Sequence, residues 1–224
     1  MAKHSKTAGI NRLAPLNDLI NGNHQDRFLG SQQTQSFPYP HYSFSNNRKW
    51  EVHFTLGMAS NDQKLRLINE VTATGNPLNV AYFLSVENLE MWIDAELAGL
   101  CRFQVTGDGD QDENNQCRAP SDAETPLKIQ VNLHAAFVRP QFRSLGFGEA
   151  LCVQLSNVVG NGILNRLVSQ PISSPSIDIT ISADLESAEG ERFCNQLSEL
   201  LQSKMAVLYK IISIPYRIID DAAY

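Results

Sequence analysis

Residues 143–148, Arg-Ser-Leu-Gly-Phe-Gly, put a cation and two glycines where an alternating strand pattern gives way to a helical one. Glycines at 146 and 148 let the backbone curl with no Cβ in the way, so that several N–H groups converge on one concavity. Those donors lie at the positive end of the helix that begins there, which makes an anion site suited to a pyrophosphate. Arg143 adds a cation at the rim, although a solvated turn arginine is equally ordinary. The plainer reading of the segment is a glycine-rich strand-to-helix turn. Two other phosphate motifs are excluded. A Walker loop needs G-x-x-x-x-G-K-[ST], and no glycine here precedes lysine in that way. A Rossmann fingerprint needs Gly or Ala three residues after Gly148, where Leu151 stands.

The second residue able to do chemistry is His134, on the polar face of the strand that leads into this turn. Imidazole titrates in the range useful to a general base. A lone strand histidine is more often structural, and both roles stay open. The carboxylates of Asp108, Asp110, Asp112, Glu113, Asp122 and Glu124 face only Arg118 within residues 106–126, an acidic insertion. An EF-hand reading fails there, because Glu113 and Ala119 stand where that loop requires Gly and Glu. The bland alternative is a solvated loop; the functional one is a negative collar that attracts a cationic amine.

The elements that must position these groups follow from periodicity. Residues 49–56 alternate as a strand, and Leu65, Leu67, Ile68 and Val71 recur at helical spacing after a cap at Asn61. Residues 89–105 read as a hairpin joined at 95–99. Residues 127–138 read as a long strand with Ile129, Val131, Leu133, Ala135 and Phe137 on one face. An amphipathic helix from 147 to 167 follows, with Gly160 and Gly162 expected to bend or fray it. Residues 176–182 form a strand and 185–204 a helix, and the tail from 206 is β-prone with a break at Pro215. Strand, helix, three strands, helix, strand, helix, strand is an α/β (α+β) order with a largely antiparallel front half.

Composition sets the outer limits. The chain has 224 residues, 42% of them hydrophobic and 19% charged, enough to bury a core without metal or disulfide staples. A formal net charge of -6 argues against a phosphate-tracking nucleic-acid binder. No apolar run reaches membrane-span length and no signal-peptide core opens the chain, so no membrane partner is expected and the expected compartment is the cytoplasm. Cys101, Cys117, Cys152 and Cys194 show no zinc spacing, and no metal site is expected. Residues 1–47 form a polar arm rich in Asn, Gln and Ser, distinct from a domain spanning 48–224.

Val138 through Leu151 resembles the acetyl-CoA-binding motif of the GNAT (GCN5-related N-acetyltransferase) superfamily, [Q/R]-x-x-G-x-[G/A] after the fourth strand. The order of elements from about 49 to 214 is similar to that fold as well. The resemblance implies a mixed, mostly antiparallel twisted sheet flanked by helices, with two central strands splayed apart. It implies that Phe137 and Val138 pair with the pantetheine arm. It further implies that the backbone from Arg143 through Ser144, Leu145, Gly146 and Phe147 to Gly148 holds the CoA pyrophosphate. The implied activity is N-acetyl transfer from acetyl-CoA, without a metal, to a primary amine that attacks the thioester directly.

Two positions depart from the family pattern. Asn132 stands where some members carry a carboxylate base, which leaves His134 as the candidate base. Cys194 stands where the family tends to carry a tyrosine acid, which leaves Tyr209 in the tail as a weak substitute. These departures, with the polar arm, also fit a catalytically weak or inactive CoA-binding or interaction module, and a homodimer. A third reading keeps the fold and changes the acceptor, as in acyl-homoserine-lactone synthases; little of their pattern is present.

Overall fold

The structure is a computed structural model, which describes residues 37–38, 50–74, 80–84, 88–107, 125–169, 176–184 and 187–222. Of the polar arm only β1 (Phe37–Pro38) falls within them, and most of the acidic insertion and Cys117 lie outside.

A seven-stranded sheet runs in chain order. After β1 come β2 (Val52–Leu56), helix α1 (Asn61–Thr72), the short helix α2 (Val80–Phe83), β3 (Asn88–Ile93) and β4 (Glu96–Gly107). Strand β5 (Leu127–Val138), a 3-10 turn (Pro140–Phe142), α3 (Phe147–Ser169), β6 (Ile177–Ala183), α4 (Ala188–Ile212) and β7 (Tyr216–Asp220) complete it. Strands β1 to β5 pair antiparallel, whereas β5–β6 and β6–β7 pair parallel, each of the last two joined by a helix crossover. The mixed α/β sheet with flanking helices is the fold class read from the sequence.

Two sets of core residues cover the sheet's two faces. Helices α3 and α4 lie on Met91, Ile93, Cys101, Phe103, Val105, Ile129, Val131 and Leu133, while α1 lies on Trp92, Leu97 and Leu100. Period-two alternation produces this division, and each face needs its own helix layer to exclude water.

Several local expectations are corrected. Ser60, not Asn61, caps α1: its side chain accepts from the Gln63 N–H while the Gln63 side chain accepts from the Ser60 N–H. The hairpin turns at Asp94–Ala95, earlier than 95–99, and both residues take positive φ. Helix α3 runs unbroken through Gly160 and Gly162; a Cβ at Gly160 would come to 3.0 Å from Lys204 Cδ, so the glycine admits α4. Most of the circumference of α3 is buried, because it is sandwiched between sheet and α4 rather than lying on the surface. Helix α4 continues through the β-prone residues to Ile212, ending where Ser213 turns left-handed at φ 56.

A buried ionic knot fixes the start of α1. The Glu90 carboxylate, 0% exposed, accepts from Thr55 Oγ1 at 2.7 Å and from the Met58 and Ala59 amides at 2.8 and 2.9 Å. Lys64 Nζ lies 3.6 Å away, and Trp92 Nε1 donates to Thr55 Oγ1 at 2.7 Å. The carboxylate is thereby supplied with the partners that a buried charge requires.

Candidate functional site

The ladder between β5 and β6 ends at Leu133↔Ala183, whereas β5 continues to Val138 paired with β4 alone. One residue past that end is a bulge. Phe103 faces Leu133 and Arg102 faces Ala135, so His134 is the extra residue. A bulge flips the alternation, which corrects the single face read for this strand. Leu133 belongs to the α3–α4 side, but Phe137 packs with Leu100, Trp92 and Leu97 on the α1 side and meets the Phe83 ring at 5.0 Å. His134 is exposed, one residue beyond the end of the β5–β6 ladder.

Backbone direction follows from the same ladder. The Arg139 N–H donates to Ala98 O at 2.7 Å, so this pair is hydrogen-bonded and the next, Gly99↔Val138, is not. By that alternation Phe137 turns its polar backbone groups toward β4, while Val138 and Ala136 turn theirs toward the side that β6 has left. Of the two residues expected at the pantetheine arm, Val138 faces that side with its backbone and Phe137 does not.

The turn is anchored from beneath by aromatics that sequence reasoning missed. Phe142 and Phe147 are 5% and 0% exposed and their rings meet edge-on at 5.7 Å. Trp50 closes the group, 5.5 Å from Phe142 and 6.1 Å from Phe147. Two aromatics five residues apart, the second set between the two glycines, are the signal that would have found it. The Phe147 side chain therefore belongs to packing, leaving only its backbone to the proposed anion site.

Between these anchors the chain rises to the surface. Ser144 and Gly146 take φ 60 and 86, the left-handed conformation in which glycine is at ease and serine is strained. The Arg143 N–H is used internally, on Pro140 O at 3.2 Å, and its Nε donates to Val138 O at 3.1 Å. Arg143 is thus a clasp between strand end and turn as well as an exposed cation. The amides of Ser144, Leu145, Gly146 and Gly148 meet no acceptor among the described residues, and a Cβ on Gly148 would find nothing within 4 Å. Orphan amides at a helix head with open space before them fit a diphosphate. Glu149, exposed in the first turn of α3, is a local charge that such an anion would have to oppose.

The structure brings His134, Val138 and residues 143–148 to one end of the sheet. It does not bring Tyr209 there. Helix α4 starts beyond the end of β6 and runs back along the sheet, so Tyr209 lies about 30 Å down it, near the start of β7. Its expected role as acid is corrected on that ground. Cys194 is buried, and burial first, then the Asp220 charge, pushes its thiol up to about 11. Asn132 is paired within both ladders, opposite Gln104 and Ser182. No group of three or more metal-ligating side chains gathers among the described residues. Among them also, no helix is long and apolar enough to cross a membrane.

No family model and no curated protein matches the chain. Among solved structures it is similar to an integron cassette protein from the mobile metagenome of V. cholerae, at 12% identity and TM-score 0.35 over 73% of this chain and 83% of that one. It is also similar to an aminoglycoside acetyltransferase from an uncultured soil metagenomic sample, solved with sisomicin. That match has 10% identity and TM-score 0.34, covering 66% of this chain and 86% of that one.

Proposed function

We propose that the protein is an acetyl-CoA-dependent N-acetyltransferase acting on a primary amine. The observation that carries this reading is the set of amides at Ser144, Leu145, Gly146 and Gly148 that meet no acceptor among the described residues, at the head of α3 and beyond the end of the β5–β6 ladder. Bound there, acetyl-CoA supplies an activated thioester carbon. The chain's own work is to grip the diphosphate through those amides, align the pantetheine arm along Ala136 and Val138, and hold the thioester beside His134. His134 takes a proton from the acceptor's ammonium, directly or through an intervening water, and so frees the amine that attacks the thioester carbon. A strand amide turned to the open side offers a donor for the developing oxyanion. With Tyr209 remote and Cys194 buried, the thiolate leaves without a tyrosine acid, which a thiolate tolerates. The carboxylates between Asp108 and Glu124 favour a cationic acceptor.

The test is release of free CoA thiol from acetyl-CoA in the presence of an amine panel, for wild type and His134→Gln. Turnover that falls by about 10² or more in the variant, with the basic limb of the pH profile displaced, supports the reading. CoA binding without turnover on any amine favours the inactive module, for which the departures at Asn132 and Cys194 speak.

A further inference from the structure

We propose that Arg139 is a positioning residue that couples helix α1, on one face of the sheet, to the anion-binding turn on the other. The inference rests on the CoA-binding reading of that turn. Arg139 follows the last residue of β5 and opens the 3-10 turn as its N-cap, yet its side chain is only 6% exposed. A guanidinium is withdrawn from water at such a position only when opposite charges compensate it. Its Nε lies 2.9 Å from the Glu70 carboxylate on α1, and its NH1 reaches the Glu96 carboxylate at the start of β4. Glu96 in turn accepts from Gln141 Nε2, inside the 3-10 turn, at 3.4 Å. The Arg139 amide is meanwhile tied to Ala98 O.

Strand β4, helix α1 and the first half of the phosphate turn therefore meet at one planar group. A guanidinium with the Glu70 carboxylate beside its Nε and the Glu96 carboxylate beside its NH1 fixes where the turn leaves the sheet, and with it the placement of the amides from Ser144 to Gly148. The two carboxylates are about half exposed, whereas the arginine is not, so a neutral side chain of similar volume in place of Arg139 leaves both free to hydrate. Misplacement of a ligand cradle by about 1 Å is enough to cost roughly a hundredfold in function, so the clamp has leverage on binding out of proportion to its size.

The experiment measures CoA affinity by calorimetry, and amide hydrogen exchange with and without CoA, for wild type, Arg139→Met and Arg139→Lys. In wild type, CoA is expected to slow exchange in the turn and in the second half of α1. Arg139→Met is expected to bind CoA about tenfold or more weakly and to lose the response in α1, with Arg139→Lys recovering part of the affinity. Should Arg139→Met fail to fold, Glu96→Gln, which leaves Glu70 on the arginine, is expected to weaken CoA in the same direction. Unchanged affinity in the folded variants, or an α1 response that is absent from wild type or survives in Arg139→Met, overturns the coupling alone. Failure of wild type to bind CoA overturns the reading beneath it as well.

Discussion

Leu133 and Ala183 are the last residues at which the two central parallel strands touch, and His134 is squeezed out of the β4 ladder immediately afterwards. The two facts lie one residue apart on β5. Parallel pairing with β6 holds β5 to the sheet's twist up to Leu133. One extra residue then shifts the remainder of β5 by half an alternation, in the stretch that runs beyond the end of β6 at Ala183. The shift puts Phe137 under α1 and Val138 toward the helix that carries the turn.

Substitution at the two turn glycines should separate fold from function. Gly146→Val forces a branched side chain into φ 86 and should cost about 1–2 kcal/mol in urea denaturation. Gly148→Leu meets open space at its Cβ and gains helix propensity, so stability should hold within about 1 kcal/mol. CoA affinity should nevertheless fall in both.

Charge at the head of α3 gives an opposite sign. Glu149→Gln removes an exposed carboxylate from the first helical turn, and CoA should bind a few-fold more tightly at low salt, with the gain shrinking at high salt. Unchanged affinity at low salt would place the anion elsewhere.

The Glu90 knot sets the position of α1. Lys64→Met leaves the carboxylate with its hydroxyl and amide donors, whereas Glu90→Leu removes the acceptor that the Thr55 hydroxyl, two amides and a buried lysine share. Equilibrium unfolding should find Glu90→Leu the costlier, by about 3–5 kcal/mol relative to wild type.

Alkaline stability should report the buried thiols. Burial, reinforced by Cys194 and Glu149, pushes Cys152 up to about 12; Cys194 stands at about 11, and burial drives Cys101 upward too. Folded values above the ordinary 9.0 mean that the unfolded state loses its protons first. The contribution is therefore complete below pH 9 and disappears as pH climbs through 11 and 12. Denaturation midpoints should fall less steeply above pH 9 in Cys194→Ala than in wild type.

Much of this was legible in the chain, for reasons that differ by element. Strand β5 and the start of α3 follow from unbroken alternation and a glycine pair, patterns that depend on neighbours in sequence. The bulge at His134 does not, because alternation reads on smoothly through Ala135 and Phe137 and only the partner strand reveals the extra residue. Residues 206–212 carry β-branched and aromatic side chains, yet Leu208 is buried on the α4 interface and packing outweighs propensity there. Arg139 reads as a polar turn residue until Glu70 and Glu96 are brought beside it.

The most direct trial of the anion cradle is an amide-resolved NMR titration of the labelled protein with CoA, and with pantetheine as the control lacking the diphosphate. The Ser144, Leu145, Gly146 and Gly148 resonances should move most with CoA and hardly at all with pantetheine. If CoA leaves those four unmoved, or shifts them no more than pantetheine does, the diphosphate is not held at the head of α3.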